Sequence, residues 1–205
     1  MQDTNIYHTP LQVGLTGGIG SGKTMVSKFF ALLGIPIYYA DDAAKWLMQN
    51  DTTLIEAIKT TFGEHLYTKD QQLDRKLLAN IVFNDVEALR TLESLVHPAV
   101  FQHTQEWATK HNSAPYLIRE AALTFESGSY KILDKVITVY APKDVRIQRV
   151  LQRDNTTIEA IEARMDKQMP DEKKMEMADF VVFNDGKTLL IPQILHIHKE
   201  ILSSN

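Results

Sequence analysis

The 205-residue chain has no cysteine. Disulfide frameworks, thiol nucleophiles and zinc–thiolate centres are therefore excluded together. It also has no excess of positive charge. Its formal net charge is -4, which disfavours an extended basic face for nucleic acid. No apolar run approaches the roughly 18 residues that a membrane helix requires. The opening residues, MQDTNIYHTP, lack the basic start and apolar stretch of a secretory leader. These absences predict a soluble, cytoplasmic chain without membrane or nucleic-acid partners. Glycine is scarce as well, and unevenly spread: of nine glycines, five lie between Gly14 and Gly22. What is present is ordinary globular composition, with 44% hydrophobic and 23% charged residues. A chain of this length can bury a full core without a covalent staple, as one domain carrying an inserted subdomain.

Leu11 to Thr16 reads as a short strand after Pro10. The glycine-rich stretch follows, then a helix from Thr24 to Leu33 with Val26, Phe29, Phe30 and Leu33 on one face, stopped by Gly34. Ile35 to Tyr39 is a second strand, and the three segments make a βαβ unit. Residues 42 to 112 are mainly helical. Within them Asn84 and Glu87 form a capping box, and His97-Pro98 is expected to break the helix. Tyr116 to about Glu120 and Lys135 to Tyr140 are apolar runs suited to buried parallel strands. Residues 143 to 176 have dense charge at helical spacing and four of the seven arginines. Phe180 to Phe183 is a fifth strand, Asn184-Asp185-Gly186 a turn, and Leu189 to Leu202 a closing helix. This order predicts an α/β fold: a parallel five-stranded sheet with helices on both faces.

Gly17-Gly18-Ile19-Gly20-Ser21-Gly22-Lys23-Thr24 fits G-x-x-x-x-G-K-[ST] at every fixed position, between a strand and a helix. Glycines allow backbone N–H groups to turn inward around a phosphate, in conformations a Cβ opposes. The helix start adds its positive end. Lys23 suits the outer phosphates and the Thr24 hydroxyl suits Mg²⁺. Nucleoside triphosphate binding follows. A GTPase would also need D-x-x-G and N-K-x-D elements, and neither is in the chain. A small-molecule kinase, with a phosphate-loop core, an acceptor insertion and an arginine-rich lid, fits the size.

Two carboxylates fall at strand ends, the edge that faces ligand in open α/β sheets. Asp41 either takes a proton from an acceptor hydroxyl or caps the next helix. Asp42 reads as a cap. Glu120 either holds Mg²⁺ or is an ordinary strand-end charge. Arg146, Arg149 and Arg153 share a helical face, which is either solvated with local acid partners, the reading that suits Arg146 best, or a lid over triphosphate. Arg164 and Gln168 form a second polar pair at i and i+4.

From about Val13 to Asn184 the sequence resembles the dephospho-CoA kinase family. The resembling motifs are Gly14 to Lys23, Gly34-Ile35-Pro36 with Ala40-Asp41, and Ile81-Val82-Phe83 with Leu92 to Pro98. They continue with Phe125-Glu126-Ser127-Gly128, Asp134 to Pro142, Arg149, Arg153-Asp154, Arg164, Gln168 and Ala178 to Asn184. Two departures stand out. Tyr39 replaces the first Asp of the family's Asp-Ala-Asp turn, and Ala122 and Thr124 replace Pro and Leu before Phe125.

The resemblance implies a P-loop NTPase fold, read as a single kinase domain over residues 1–205. It implies a helical acceptor subdomain at about 42–112 and a lid at about 143–176. The implied reaction is ATP-dependent phosphorylation of the ribose 3′-hydroxyl of dephospho-CoA, the last step of coenzyme A biosynthesis, with Mg²⁺. Gly17, Gly18, Ile19, Gly20, Ser21, Gly22, Lys23 and Thr24 then hold ATP, with Arg149 and Arg153 closing over it and Asn184 and Gly186 near the adenine. Asp41, Lys23 and Arg153 are the catalytic candidates. Asp41 and His97 are the acceptor contacts, with helix termination as the alternative for His97, and Thr24 and Glu120 are the metal ligands. The small-molecule substrate is the expected partner, and the chain a monomer or weak homo-oligomer. A nucleoside monophosphate kinase and a nucleotide-binding regulator without rapid transfer are the other readings.

Overall fold

The computed structural model describes residues 10–83 and 85–204. They divide into two compact units, one within residues 1–39 and 111–205 and the other within Ala40–Lys110.

The first unit is built on five parallel strands: β1 (Leu11–Thr16), β2 (Ile37–Tyr39), β3 (Tyr116–Glu120), β4 (Lys135–Tyr140) and β5 (Phe180–Phe183). Their spatial order is β2-β3-β1-β4-β5, so β1 is central. Central parallel strands are covered on both faces, which is why Val13, Leu15, Ile118 and Ile137 are all fully buried. β2 is shorter than the expected run from Ile35. Pro36 has no N–H to give to a ladder, and contributes only its carbonyl, which accepts from Ile118 N–H at 3.0 Å.

Helix α1 (Lys23–Leu32) buries Val26 and Phe30 against the sheet, while Leu33, expected on that face, is 36% exposed just past its end. The closing helix runs Leu190–Ser203, and its core face is Ile194, Ile197 and Ile201 at i, i+3 and i+7. On β3 the Tyr116 hydroxyl lies 2.7 Å from His198 Nδ1. Burial raises the Tyr116 pKa and lowers that of His198, so the pair is neutral near pH 7.

The second unit is helical: α2 (Ala40–Asn50), α3 (Thr52–Phe62), α4 (Arg75–Phe83) and α5 (Val86–Lys110). Its core gathers Leu47, Leu54, Ile58, Leu66, Leu78 and Val96. Asp51 caps α3 by accepting Leu54 N–H at 2.8 Å. Helix α5 contradicts the expected break, because Pro98 lies inside it. Proline removes one i→i−4 bond at a cost of about 3 kcal/mol. Here Leu95, Val96, Ala99 and Val100 pack on the unit's core from both sides of Pro98, which offsets that loss. The start of α5 is capped by Asp85, which accepts from Glu87 and Ala88 N–H at 2.9 and 3.0 Å. The capping box assigned to Asn84 falls outside the described residues, as does the leader reading of residues 1–9.

Among the described residues, no helix is long and apolar enough to cross a membrane.

Candidate functional site

The glycine-rich stretch joins the C-terminal end of central β1 to α1, at the sheet edge where open α/β folds bind ligands. Two glycines are required by their backbone. Gly20 and Gly22 have φ of 78° and 95°, a region L side chains oppose. Space is also lacking, since a Cβ at Gly20 would meet the Arg146 carbonyl and one at Gly22 would meet Asn184 Nδ2. The loop tip is closed by a turn in which Ser21 N–H donates to Gly18 O at 3.1 Å. Lys23 Nζ donates to Gly17 O at 2.9 Å, which curls the ammonium over the loop. Thr24 is exposed in the first turn of α1.

Three further parts of the chain grip this loop. Asn184, just past β5 and buried, donates through Nδ2 to Ser21 O at 2.7 Å. Arg149, on helix α6 (Lys143–Arg153), donates to the same carbonyl at 3.3 Å and to Asn184 O at 3.0 Å. Two residues assigned to ATP from the sequence are thus brought together, on the main chain of the loop. Gln168 is the third, accepting Ile19 N–H on Oε1 at 2.8 Å.

Arg146 departs from its expected solvated position. It is 7% exposed, lies against Gly18, and pairs with Asp171 at 2.6 Å. Burial raises the Asp171 pKa, with Arg146 opposing the shift and Lys174 and Lys23 adding to that opposition. Asp171 opens the helix Asp171–Met177, which also holds Lys174. Lys174 is 1% exposed, with its ammonium 2.8 Å from Glu126 Oε1, an electrostatic approach rather than an aligned hydrogen bond. Glu126 also accepts Met169 N–H at 2.8 Å. A cavity of about 300 Å³ lies beside this cluster, lined in part by Tyr140, Lys143, Arg146 and Gln168. Sequence reasoning missed Arg146, Asp171, Glu126 and Lys174 as partners of the loop. The one available signal was spacing, since Arg146 and Val150 are the buried i, i+4 positions of α6.

Glu120 is buried at the end of β3, in register with Leu15 of β1 and Tyr39 of β2. Tyr39 places its hydroxyl 3.3 Å from Ser27 Oγ on α1, so the residue that departs from the family pattern ties β2 to the helix behind the phosphate loop. The other departing segment is also well held. Thr124 is 2% exposed, and its carbonyl accepts Tyr130 N–H and the Ser129 hydroxyl.

The remaining candidates are not among the residues that hold this loop. Asp41 is exposed in the first turn of α2. A capping residue precedes the first turn, so neither Asp41 nor Asp42 is the cap; Asp42 instead pairs with Lys45 at 2.8 Å. His97 is exposed in the middle of α5 and does not end a helix. Arg153, at the C-terminal end of α6, is 65% exposed and hydrogen-bonds Asp154 rather than the loop. Gly186 has φ 83° in the turn after β5, where Asp185 accepts Lys187 and Thr188 N–H.

The family model described as dephospho-CoA kinase matches residues 11–189. A dephospho-CoA kinase of Bacteroides fragilis is 35% identical over 187 residues, covering 91% of each chain. A solved Thermus thermophilus protein superposes with a TM-score of 0.83 at 32% identity, covering 96% of this chain and 98% of that one. The solved dephospho-CoA kinase from Campylobacter jejuni gives 0.69 at 31% identity, covering 95% and 98%.

Proposed function

The chain belongs to the dephospho-CoA kinase family, and from that premise we propose how its own residues carry out ATP-dependent phosphorylation of dephospho-CoA. The observation that carries the proposal is the phosphate loop. Among the described residues the N–H groups of Gly20, Gly22 and Thr24 make no hydrogen bond, and the buried Ser21 hydroxyl has no partner. A cluster of donors at a helix start is suited to phosphate oxygens.

In this reading Gly17 to Thr24 hold the triphosphate of ATP, and Lys23 moves from Gly17 O to the outer phosphates. Asp41 accepts the proton of the ribose 3′-hydroxyl. The freed oxygen forms a bond to the γ-phosphorus as the bond to the β–γ bridging oxygen breaks, and ADP leaves with the electron pair. Such a transfer asks the protein for positioning and charge neutralisation rather than covalent chemistry. Lys23 supplies charge to the transferring group, and Arg153 joins it from the lid at 143–176. Arg149 and Asn184 act on the loop's main chain, and Asn184 and Gly186 border the adenine. The Thr24 hydroxyl and the Glu120 carboxylate are hard oxygen donors, the set Mg²⁺ prefers. When bound, Mg²⁺ would supply positive charge against that of the phosphates.

The acceptor is assigned to residues 42–112. Within that unit a groove of about 620 Å³ is lined by Trp46, Leu95, Pro98 and His103, with the Trp46 and His103 rings stacked 5.7 Å apart. Its mixed apolar and polar lining supports an organic acceptor, and His97 on the same helix is the assigned contact. The setting we propose is the cytoplasm, for a monomer or weak homo-oligomer acting on a small molecule and not on nucleic acid. The test is ADP release on adding dephospho-CoA, beside nucleoside monophosphates as acceptors. Release with dephospho-CoA alone is expected. Equal release with a nucleoside monophosphate would overturn the acceptor assignment.

A further inference from the structure

We propose that Gln168 is a positioning residue for the phosphoryl transfer: it fixes the Gly18–Ile19 peptide plane and so sets the direction of the phosphate-loop N–H groups that follow. The proposal rests on the reading of Gly17 to Thr24 as the triphosphate site.

A peptide plane next to glycine has little steric resistance to rotation, because no Cβ opposes it. Its orientation must then come from hydrogen bonds at its two polar ends. Both ends of this plane are held. Gly18 O accepts Ser21 N–H at 3.1 Å, and Ile19 N–H donates to Gln168 Oε1 at 2.8 Å. The first bond lies within the loop and moves with it. Only the second refers the plane to another part of the molecule, 149 residues along the chain. Rotation of the plane breaks both bonds and re-aims the N–H groups of Gly20 to Thr24.

The loop therefore divides its donors. Ile19 N–H is used by the protein, while Gly20, Gly22 and Thr24 N–H make no hydrogen bond among the described residues. The acceptor chosen for Ile19 is an amide oxygen, which satisfies the donor without placing negative charge beside a triphosphate. A carboxylate of the same reach would repel the nucleotide.

Gln168 is itself held by its neighbours. Its own N–H donates to Met165 O at 2.9 Å, and the next residue, Met169, donates to Glu126. Glu126 pairs with buried Lys174, and Asp171 with buried Arg146, so the segment is pinned on both sides of Pro170. Arg146 also sets its main-chain carbonyl against Gly20. Buried ion pairs of this kind fix geometry more than they add net stability.

The test is Gln168→Met, which keeps an unbranched chain of similar length and removes the acceptor. Loss of one well-aligned hydrogen bond predicts a KM for ATP raised about tenfold, with the KM for dephospho-CoA and the melting temperature near those of the parent. Gln168→Asn keeps the amide but shortens its reach, and should fall with the Met variant. Lys23→Ala, measured by equilibrium ATP binding, is the control for the loop itself. Unchanged ATP affinity there would overturn the phosphate-loop reading. If Lys23→Ala loses ATP while Gln168→Met binds it unchanged or more tightly, the positioning role fails alone. Tighter binding would make Gln168 a competitor of phosphate. A lowered melting temperature with unchanged KM would make it purely structural, which also overturns the proposal.

Discussion

The α/β unit and the helical unit are held together by different chemistry. In the helical unit the buried side chains are apolar, with Thr104 as the one buried polar residue among those described, its hydroxyl donating to Val100 O at 2.6 Å. Its ion pairs among the described residues, Lys45–Asp42, Lys59–Glu56 and Arg90–Glu87, are i,i+3 pairs on single helices, exposed except at the partly buried Lys59. Such pairs contribute roughly 0–1 kcal/mol each. In the α/β unit Glu120, Arg146, Lys174 and Asn184 are buried, and the last three join the network around the phosphate loop. An apolar core tolerates small shifts in shape. A buried charge needs its partner at one distance and angle, because desolvation is costly when the partner is absent. Polar burial is concentrated where atoms must be held to a fraction of an ångström.

The largest effect should come from the loop. Lys23→Ala should remove turnover by about 10³-fold or more, the scale of losing a charge matched to the transition state. Its melting temperature should stay near the parent's, because Lys23 donates to a loop carbonyl and is not part of the apolar core. Turnover at parental rate would take the loop out of the mechanism and leave the polar network of the α/β unit without a purpose in catalysis.

Asp41→Asn tests the contrast from the other side, since Asp41 lies in the helical unit. Asn keeps the shape and cannot accept the proton, so kcat should fall by about 10²–10⁴. ATP binding should be unaffected. The first turn of a helix favours negative charge by roughly 0.3–1 kcal/mol, so stability should change little. A kcat within about threefold of the parent would sink the general-base role.

Two core substitutions compare the units directly. Ile58→Ala removes a fully buried side chain of the helical unit and should cost about 2–5 kcal/mol, with KM for ATP unchanged. Lys174→Met leaves Glu126 without its buried partner and should cost about 3 kcal/mol. It should also raise KM for ATP, because Glu126 holds the segment carrying Gln168. Thermal melts and ATP titrations on both variants decide it. A Lys174→Met variant that melts early and binds ATP normally would show that its ion pair serves stability only.

The same contrast explains what the sequence disclosed. All five strands were legible, β3, β4 and β5 from their apolar runs and β1 and β2 from the proline and glycine that flank them. The phosphate loop was legible because its backbone demands glycine at fixed spacing. Helix α5 was misread at Pro98, since a local penalty was visible and the tertiary packing of Leu95 to Val100 was not. The polar network was the least legible. Arg146 and Lys174 lie in a segment with as many acids as bases at helical spacing, which reads the same whether a charge is solvated or buried. Only the fold brings residues 18, 126, 146, 168, 171 and 174 together. Asp41 was legible as a strand-end carboxylate, but its exclusion as a cap required the observed start of α2 at Ala40.

The smallest effect should come from Arg153, which shares features of both regions. It belongs to the α/β unit, yet its environment matches the exposed pairs of the helical unit: 65% exposed, hydrogen-bonded to Asp154, with Arg164 reaching the same carboxylate at 4.0 Å. The Arg153 pairing holds the Asp154 carboxyl below the usual carboxylate range, and Arg164 adds to this. An exposed pair between adjacent residues contributes roughly 0–1 kcal/mol, so Arg153→Ala should melt close to the parent. If its guanidinium leaves Asp154 for the triphosphate when the lid closes, the same variant should lose about tenfold in kcat/KM for ATP, the scale of one charge-assisted hydrogen bond. Arg153→Lys keeps the charge without the planar fork and should recover only part of that loss. Steady-state kinetics at varied ATP with saturating dephospho-CoA, beside a melting curve, separates the outcomes. Parental kinetics in Arg153→Ala would confine its role to the pair with Asp154 and leave Lys23 as the cation of the proposed set that serves the transfer.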